Sequence, residues 1–355
     1  MSPLTRRDLI RAAGGLAVAT ACAPAATAVA SAAPAAAASA APAPIATPTP
    51  KPIAVKGAWV ALTSNQMVWP VAKEAGYFAK YGIDFDLSYV SGSSTAVAAM
   101  LGGDVAITSV AGSAVVTAQA AATDIVMVAG FVNTAIFRVM TGSAITSIAQ
   151  LKGQTIAVTR IGNADYFAWQ TIAAKQGWKL DDLKFVSAND VPGQVALLKT
   201  NNVQAIAVSP PNNVLALQAG AHEILDTAVY SEPEQNVGIA TTRKYLTENR
   251  AAVLGVVKAS VEAMARWKKD PAFVKDVIKK YLKTDDPQFL DVGYSAYTNA
   301  FPQAPYPSEA GLARVIEQVS SGTPKAKDLK PAQMIDRSFV QELETSGFVK
   351  QIYGG

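Results

Sequence analysis

Six short segments of this chain gather hydroxyl and amide side chains with almost no charge among them. They are Thr63-Ser64-Asn65, Gly92-Ser93-Ser94-Thr95, Ser109-Val110-Ala111-Gly112, Thr159-Arg160-Ile161-Gly162-Asn163, Asn189 and Ser209-Pro210-Pro211-Asn212. Each follows a strand-like run, and several open a helix. A helix N-terminus offers unpaired N–H groups and the positive end of a dipole, so such loops suit a carboxylate or another oxyanion. Arg160 is the one basic side chain in the set, and its planar fork matches a carboxylate. Tyr166, with Trp169 three positions on and Trp69 on an earlier helix, could stack on a ring. The same residue types serve elsewhere as helix caps, and aromatics also fill cores. The binding reading rests on the loops converging. The candidates are Thr63, Ser64, Asn65, Ser93, Ser94, Ser109, Thr159, Arg160, Asn163, Tyr166, Asn189, Ser209 and Asn212.

Other chemistries are excluded by counting. The chain has one cysteine, Cys22, and one histidine, His222. Disulfide frameworks and zinc sites need more, and a Cys-His nucleophile pair would have to join Cys22, at the end of the export-signal region, to His222. A Ser-His-Asp triad would have to use His222, which sits in Ala219-Gly220-Ala221-His222-Glu223, a helix-to-strand turn that reads as solvent-facing. No phosphate-loop, dinucleotide, metalloprotease or calcium-loop pattern occurs. No catalytic residue, metal or cofactor is assigned. Net charge is +4; three basic residues and one acidic fall in the first 22, leaving +2 for the rest. That balance offers no basic stripe for nucleic acid and no cationic face for a membrane.

The elements that position the loops are written twice. Ala96 to Ser109 and Gln194 to Ser209 each read as helix, polar turn and short apolar strand. Each is followed by an Ala-rich helix, Ser113 to Ala120 and Asn213 to Ala219, and then by another strand, Asp124 to Ala129 and Glu223 to Leu225. A period near one hundred residues is too long for a solenoid. It predicts two related α/β lobes, and clefts between lobes bind small molecules.

The N-terminus reads as an address. Thr5-Arg6-Arg7-Asp8-Leu9-Ile10-Arg11 is similar to a twin-arginine export signal, and the apolar stretch after it is too short to span a bilayer. Ala19-Thr20-Ala21-Cys22 resembles a lipoprotein cleavage box, which makes Cys22 a candidate for lipidation. The alternative is ordinary cleavage at a later site such as Ala28-Val29-Ala30. Residues 23–52 are nearly all Ala, Pro, Ser and Thr, a semi-extended tether with too little apolar surface to fold.

The body alternates strands and helices. Ala58 to Leu62 predicts a strand, followed by a helix capped at Ser64 or Asn65 and running to about Glu74. Ile83, Phe85, Leu87 and Tyr89 alternate with polar residues, the mark of a strand with one wet face. Thr155 to Val158, Phe185-Val186 and Ala205 to Val208 supply further strands, with a helix over Asp165 to Lys175. Val237 to Thr241 is a last short strand. Helices then follow over roughly 248–268, 271–282, 288–299, 309–319 and 331–344, and they need an existing surface to cover.

Two segments carry a family resemblance. Ala72-Lys73-Glu74-Ala75-Gly76-Tyr77-Phe78-Ala79-Lys80-Tyr81-Gly82-Ile83 and Ile148-Ala149-Gln150-Leu151-Lys152-Gly153-Gln154-Thr155-Ile156-Ala157-Val158 resemble segments of the thiamine-precursor/sulfonate/nitrate class of ABC-transporter periplasmic solute-binding proteins. Ser209-Pro210-Pro211-Asn212 stands where many sulfonate and taurine binders carry Trp-x-Pro. The resemblance implies a two-lobed type II periplasmic-binding fold, each lobe a mostly parallel sheet flanked by helices. Lobe 1 would be 53–140 plus 239–355 and lobe 2 would be 141–238, with hinge crossings near Arg138 to Ser143 and Glu234 to Ile239. The implied protein is not an enzyme. It captures a small anionic or aromatic solute by hinge closure, as an exported, monomeric component that hands its cargo to an ABC permease and its ATPase. It would touch the membrane only through a lipid at Cys22, and would bind no nucleic acid. The competing readings are an enzyme of the same fold and a solute sensor serving a membrane receptor.

Overall fold

A computed structural model describes residues 51–354. The export motif, Cys22 and residues 23–50 of the tether lie outside them.

Ten strands form two five-stranded sheets. They are β1 Ile53–Trp59, β2 Ile83–Tyr89, β3 Ile107–Val110, β4 Ile125–Thr134, β5 Arg138–Thr141, β6 Thr155–Val158, β7 Lys184–Ser187, β8 Ala205–Val208, β9 His222–Asp226 and β10 Pro233–Thr242. The first sheet is ordered β2-β1-β3-β10-β4 and the second β7-β6-β8-β5-β9. In each, four strands run one way and a single strand, β10 or β5, runs against them. The sheets are therefore mixed.

The repeated segments occupy equivalent places. β3 and β8 are each third in their sheet, and β4 and β9 are each at an edge. The helices Gly112–Ala120 and Asn212–Gln218 follow β3 and β8. The chain passes from the first sheet to the second over residues 135–137 and returns over 227–232. Each opposed strand is thus the first one laid down after a crossing. Most of the two spans expected as crossings, Arg138 to Ser143 and Glu234 to Ile239, is strand, in β5 and β10.

Local chemistry explains the elements. In β2, Ile83 and Phe85 are buried while Asp84 and Asp86 face solvent, the alternation of a half-wet strand. β4 opens with eight consecutive buried residues, Ile125 to Val132, as a strand covered on both faces requires. The C-terminal helices cover the first sheet. Val253, Val257, Met264 and Trp267 of the helix Arg250–Lys269 pack with Trp69, Phe85 and Phe131 in one core. Asp270 and Asp286 cap the next two helices by accepting the Phe273 and Phe289 N–H groups, each with a proline one position on.

Two expectations are corrected. The strand placed at Ala58 to Leu62 runs from Ile53 to Trp59, and the helix after it is a 3-10 turn, Ser64–Gln66, then an α-helix, Val68–Glu74. The single helix expected over 331–344 is broken. A 3-10 turn Pro331–Met334 is followed by Ile335, which bridges to Met127, and the Asp336 N–H donates to the Met127 carbonyl at 2.8 Å. The chain is extended there because it supplies partners to the open edge of β4. Helices resume at Ser338–Thr345 and Phe348–Tyr353.

Candidate functional site

β1, β3 and β4 end, and the opposed β10 begins, at one edge of the first sheet. β6, β8 and β9 end, and β5 begins, at the corresponding edge of the second. These carboxyl edges are where α/β sheets bind ligands, and their loops meet. Asn212 Nδ2 donates to the Leu62 carbonyl at 3.4 Å. Gly293, on the helix Pro287–Thr298, fits between the two loops: a Cβ there would lie 2.6 Å from Ser64 Oγ and 3.3 Å from Pro211 Cγ. Farther along the interface, Arg314 Nη2 donates to Thr171 Oγ1 at 3.2 Å and Gln318 Nε2 to the same oxygen at 3.2 Å.

At the first edge a buried polar relay joins the loop after β1 to the start of β10. The Thr63 hydroxyl donates to Asn65 Oδ1. Asn65 Nδ2 donates to Asn236 Oδ1 at 3.2 Å, and Asn236 Nδ2 donates to Glu234 Oε1 at 3.3 Å. Thr63 and Asn65 retain only 6% and 5% of their surface, Glu234 3%. The second carboxylate oxygen, Glu234 Oε2, is buried with no partner. Burial pushes this carboxyl up to about 7, opposed by the Asn236 hydrogen bond and the charge of Arg314.

Other buried groups at the two edges have no partner: Ser64 Oγ, Gln66 Oε1 and Ser109 Oγ on the first, and Asn213 Oδ1 on the second. Ser109 stands in register with Trp59 on β1 and Ile239 on β10. Tyr297 is fully buried beside Ser209, and burial pushes its hydroxyl well above the ordinary tyrosine value. An unpaired buried polar group costs about 1–3 kcal/mol, so each of these atoms would be stabilised by a further partner, water or ligand.

The capping role does not account for these side chains. At Thr63, Gly92, Ala111, Asn163 and Pro211 the helix starts without any side-chain cap. Asp190, by contrast, does cap its helix through the Gly193 N–H.

The remaining candidates are placed unevenly. Ser209 and Asn212 are buried at the second edge, near Thr63, Ser64 and Asn65. Ser93, partly buried, accepts the Ala111 N–H at 3.2 Å. Thr159 and Asn163 are engaged within their own loop: Asp165 accepts the Thr159 N–H at 2.5 Å and hydroxyl at 2.9 Å, and Asn163 Nδ2 donates to Thr159 Oγ1 at 3.0 Å. Burial pushes Asp165 up to about 6 against these hydrogen bonds. Tyr166 packs edge-on to Phe167 and Phe185. Ser94, Arg160 and Asn189 are exposed. Trp69 and Trp169 are core residues, and Trp69 Nε1 donates to Ser260.

The cations near the edges are committed. Arg138, at the start of β5, pairs with Glu223 at 3.1 Å and with Asp226. Arg314 pairs with Glu232 at 2.7 Å. His222 lies at the opposite end of β9 from Asp226, partly buried, with Nε2 3.3 Å from Thr141 Oγ1. It is therefore on the far edge of its sheet from the site. Among the described residues, no group of three or more His, Cys, Asp and Glu side chains is placed to hold a metal ion.

Gln66, Asn213, Glu234, Asn236 and Tyr297 were not among the residues expected from sequence. A Glu-Gln-Asn run immediately before an apolar strand is the signal for two of them, but it points to this edge only once β10 is known to run backwards.

Comparison with known proteins agrees with this architecture. Residues 64–273, more than half of the chain, match the family described as NMT1/THI5 like. The chain is similar in fold to the periplasmic aliphatic sulphonate binding protein SsuA from Escherichia coli. Identity is 19% and the TM-score 0.67, with 81% of this chain and 93% of that one covered. It is similar to the periplasmic nitrate-binding protein NrtA from Synechocystis PCC 6803, at 16% identity and TM-score 0.65, covering 84% and 89%. It is also similar to the ligand binding component of an ABC-type import system from Staphylococcus aureus, at 10% identity and TM-score 0.69, covering 82% and 98%. No curated protein matches the chain.

Proposed function

The chain belongs to the NMT1/THI5 like family, and we propose that it is an exported solute-binding protein that captures a small polar molecule between its two lobes and delivers it to an ABC importer. The observation that carries this reading is the set of buried, unpartnered polar groups contributed by both carboxyl edges, Ser64, Gln66, Ser109 and Glu234 from one and Asn213 from the other. Similarity to proteins named as sulphonate-binding, nitrate-binding and ABC import components supports it.

A solute touching both edges favours the closed arrangement by its extra affinity for it. The crossings at 135–137 and 227–232 are the hinge, and the permease reads the closed shape. No step of chemistry on the solute is required, and the one histidine stands at the wrong edge to supply one. The protein acts as a monomer outside the cytoplasm, held to the membrane by a lipid at Cys22. No helix among the described residues is long and apolar enough to cross a membrane.

The charge inventory weighs on the solute. Arg138 and Arg314 are each neutralised by a carboxylate and Arg160 is exposed, so among the described residues the buried carboxylate oxygen without a partner is that of Glu234. This favours a neutral or cationic solute over the anion expected from the sequence.

A thermal-shift screen with sulfonates, carboxylates, nitrate, pyrimidines and amino acids tests the reading. A bound solute at a hundred times its dissociation constant adds ~2.7 kcal/mol of stability, a clear upward shift. Turnover of a screened compound by the purified protein would instead make it an enzyme.

A further inference from the structure

Among the described residues, Glu234 is the carboxylate with a buried oxygen left without a partner. It sits at the start of β10, 3% exposed, with Oε1 held by Asn236 and Oε2 facing no protein donor. The nearest cation, Arg314 on the helix Glu309–Ser320, is already bound to Glu232 and Thr171. A carboxylate is an acceptor with room for several hydrogen bonds, and burying one with half its capacity empty is costly. Asn236 cannot turn to serve the second oxygen without breaking the relay, because its Oδ1 already accepts from Asn65.

The other unpartnered groups are mixed: the Gln66 and Asn213 amides can accept and donate, and the Ser64 and Ser109 hydroxyls do either. The buried guanidinium donors left over, Arg138 Nε and Arg314 Nε, belong to groups already held by carboxylates. The uncapped helix starts at Thr63, Gly92, Ala111, Asn163 and Pro211 supply backbone donors elsewhere in the site, so the selecting feature is local. A ligand group set against the free oxygen of ionised Glu234 is matched by an N–H and opposed by an oxyanion, which only accepts and would meet like charge.

We propose that Glu234 selects the solute: its free carboxylate oxygen accepts an N–H, so the cargo is a small amine, amidine, aromatic amine or primary amide rather than a simple oxyanion. This rests on the solute-binding reading of the same site. Discrimination by a buried acceptor is steep, since an analogue lacking the donor leaves the carboxylate unpaired. An ordered water could satisfy Oε2 as well, but it would leave affinity indifferent to the acid.

The test uses the full chain and Glu234→Gln, which keeps the shape and exchanges one acceptor for a donor. Probes are pairs in which methylation removes the donor: benzamide and N,N-dimethylbenzamide, 2-aminopyridine and 2-(dimethylamino)pyridine. Benzamidinium, methanesulfonate, acetate and nitrate complete the set. All are titrated calorimetrically at up to about 10 mM, where fragment affinities register. The expected result is binding by N–H probes, at least tenfold weaker for their alkylated partners on the wild type, and at least tenfold weaker for the N–H probes on Glu234→Gln. The matched pairs read the donor on unaltered protein, so the proposal stays testable if the variant folds poorly. Binding by methanesulfonate, acetate or nitrate in preference to N–H probes overturns the assignment and leaves solute binding standing. So does N–H binding that neither alkylation nor Glu234→Gln weakens. No binding by any probe overturns both.

Discussion

Asn65 donates from Nδ2 to Asn236 Oδ1 at 3.2 Å, and that one bond joins two segments 171 positions apart. It fixes which way both amides face. Asn65 must present its oxygen to Thr63, and Asn236 must present its nitrogen to Glu234. The loop after the first strand and the start of the last are therefore set by a single polar chain. Asn236→Leu removes the middle of it and leaves Asn65 and Glu234 unpaired in a buried site. It should lower stability by about 1–3 kcal/mol in urea unfolding. An unchanged midpoint and slope would mean that the relay does not form.

Glu234 makes stability depend on pH in a definite direction. Burial raises its folded value from the ordinary 4.5 to about 7. The native state thus holds the proton more tightly than the unfolded chain, and stability falls as pH climbs between those two values. Asp165, raised to about 6, acts in the same sense and persists in a Glu234 variant. Glu234→Gln should therefore gain on the wild type as pH rises, by on the order of 2 kcal/mol between about pH 5 and pH 8. A constant difference across that range would contradict the burial of the carboxyl. A neutral N–H solute should bind more tightly above pH 7 than below it, because its hydrogen bond favours the ionised acid.

Gly293 leaves no space for a side chain where the two lobes touch, its missing Cβ falling 2.6 Å from Ser64 Oγ. Gly293→Val should keep each lobe folded, with far-ultraviolet circular dichroism unchanged, while holding the lobes apart. Solute affinity should fall at least tenfold. Wild-type affinity in this variant would place closure somewhere other than the seam where Gly293 meets Ser64 and Pro211.

Much of this arrangement is legible in the sequence, for identifiable reasons. The repeat at 96–109 and 194–209 placed β3 and β8 in matching positions because buried parallel strands are unbroken apolar runs, and Ile107 and Ala205 to Val208 are wholly buried. Period-two alternation found β2. The opposed strands were not legible. β10 reads as Val237 to Thr241, yet its first residues, Pro233 to Asn236, extend it to the site edge, and direction within a sheet leaves no local mark. Glu234 therefore falls within the span expected as hinge, and nothing local in the helix expected over 288–299 singles out Tyr297. The broken helix after Pro331 was invisible for the same kind of reason, since Ile335 is extended by its bridge to Met127 in a distant strand.

Arg160 distinguishes the anionic reading from the one argued here. It is exposed on the loop after β6. If it clamped an anion, Arg160→Ala would cost at least tenfold in affinity, ~1.4 kcal/mol. With Glu234 as the selecting group, the same variant should bind N–H probes within about twofold of the wild type, since an exposed charge contributes little. Calorimetry on the two proteins side by side decides between them.

The most direct measurement is the distance between the lobes in solution. Spin labels at Asp104 and Lys179, both exposed and on opposite lobes, are introduced with Cys22→Ser so that no other thiol reacts. Pulsed dipolar spectroscopy then records the distance distribution with and without a probe that raises the melting temperature. Capture by closure predicts two populations, with the shorter one growing as the probe is added and failing to grow in Gly293→Val. A single distribution that no stabilising probe alters would contradict it.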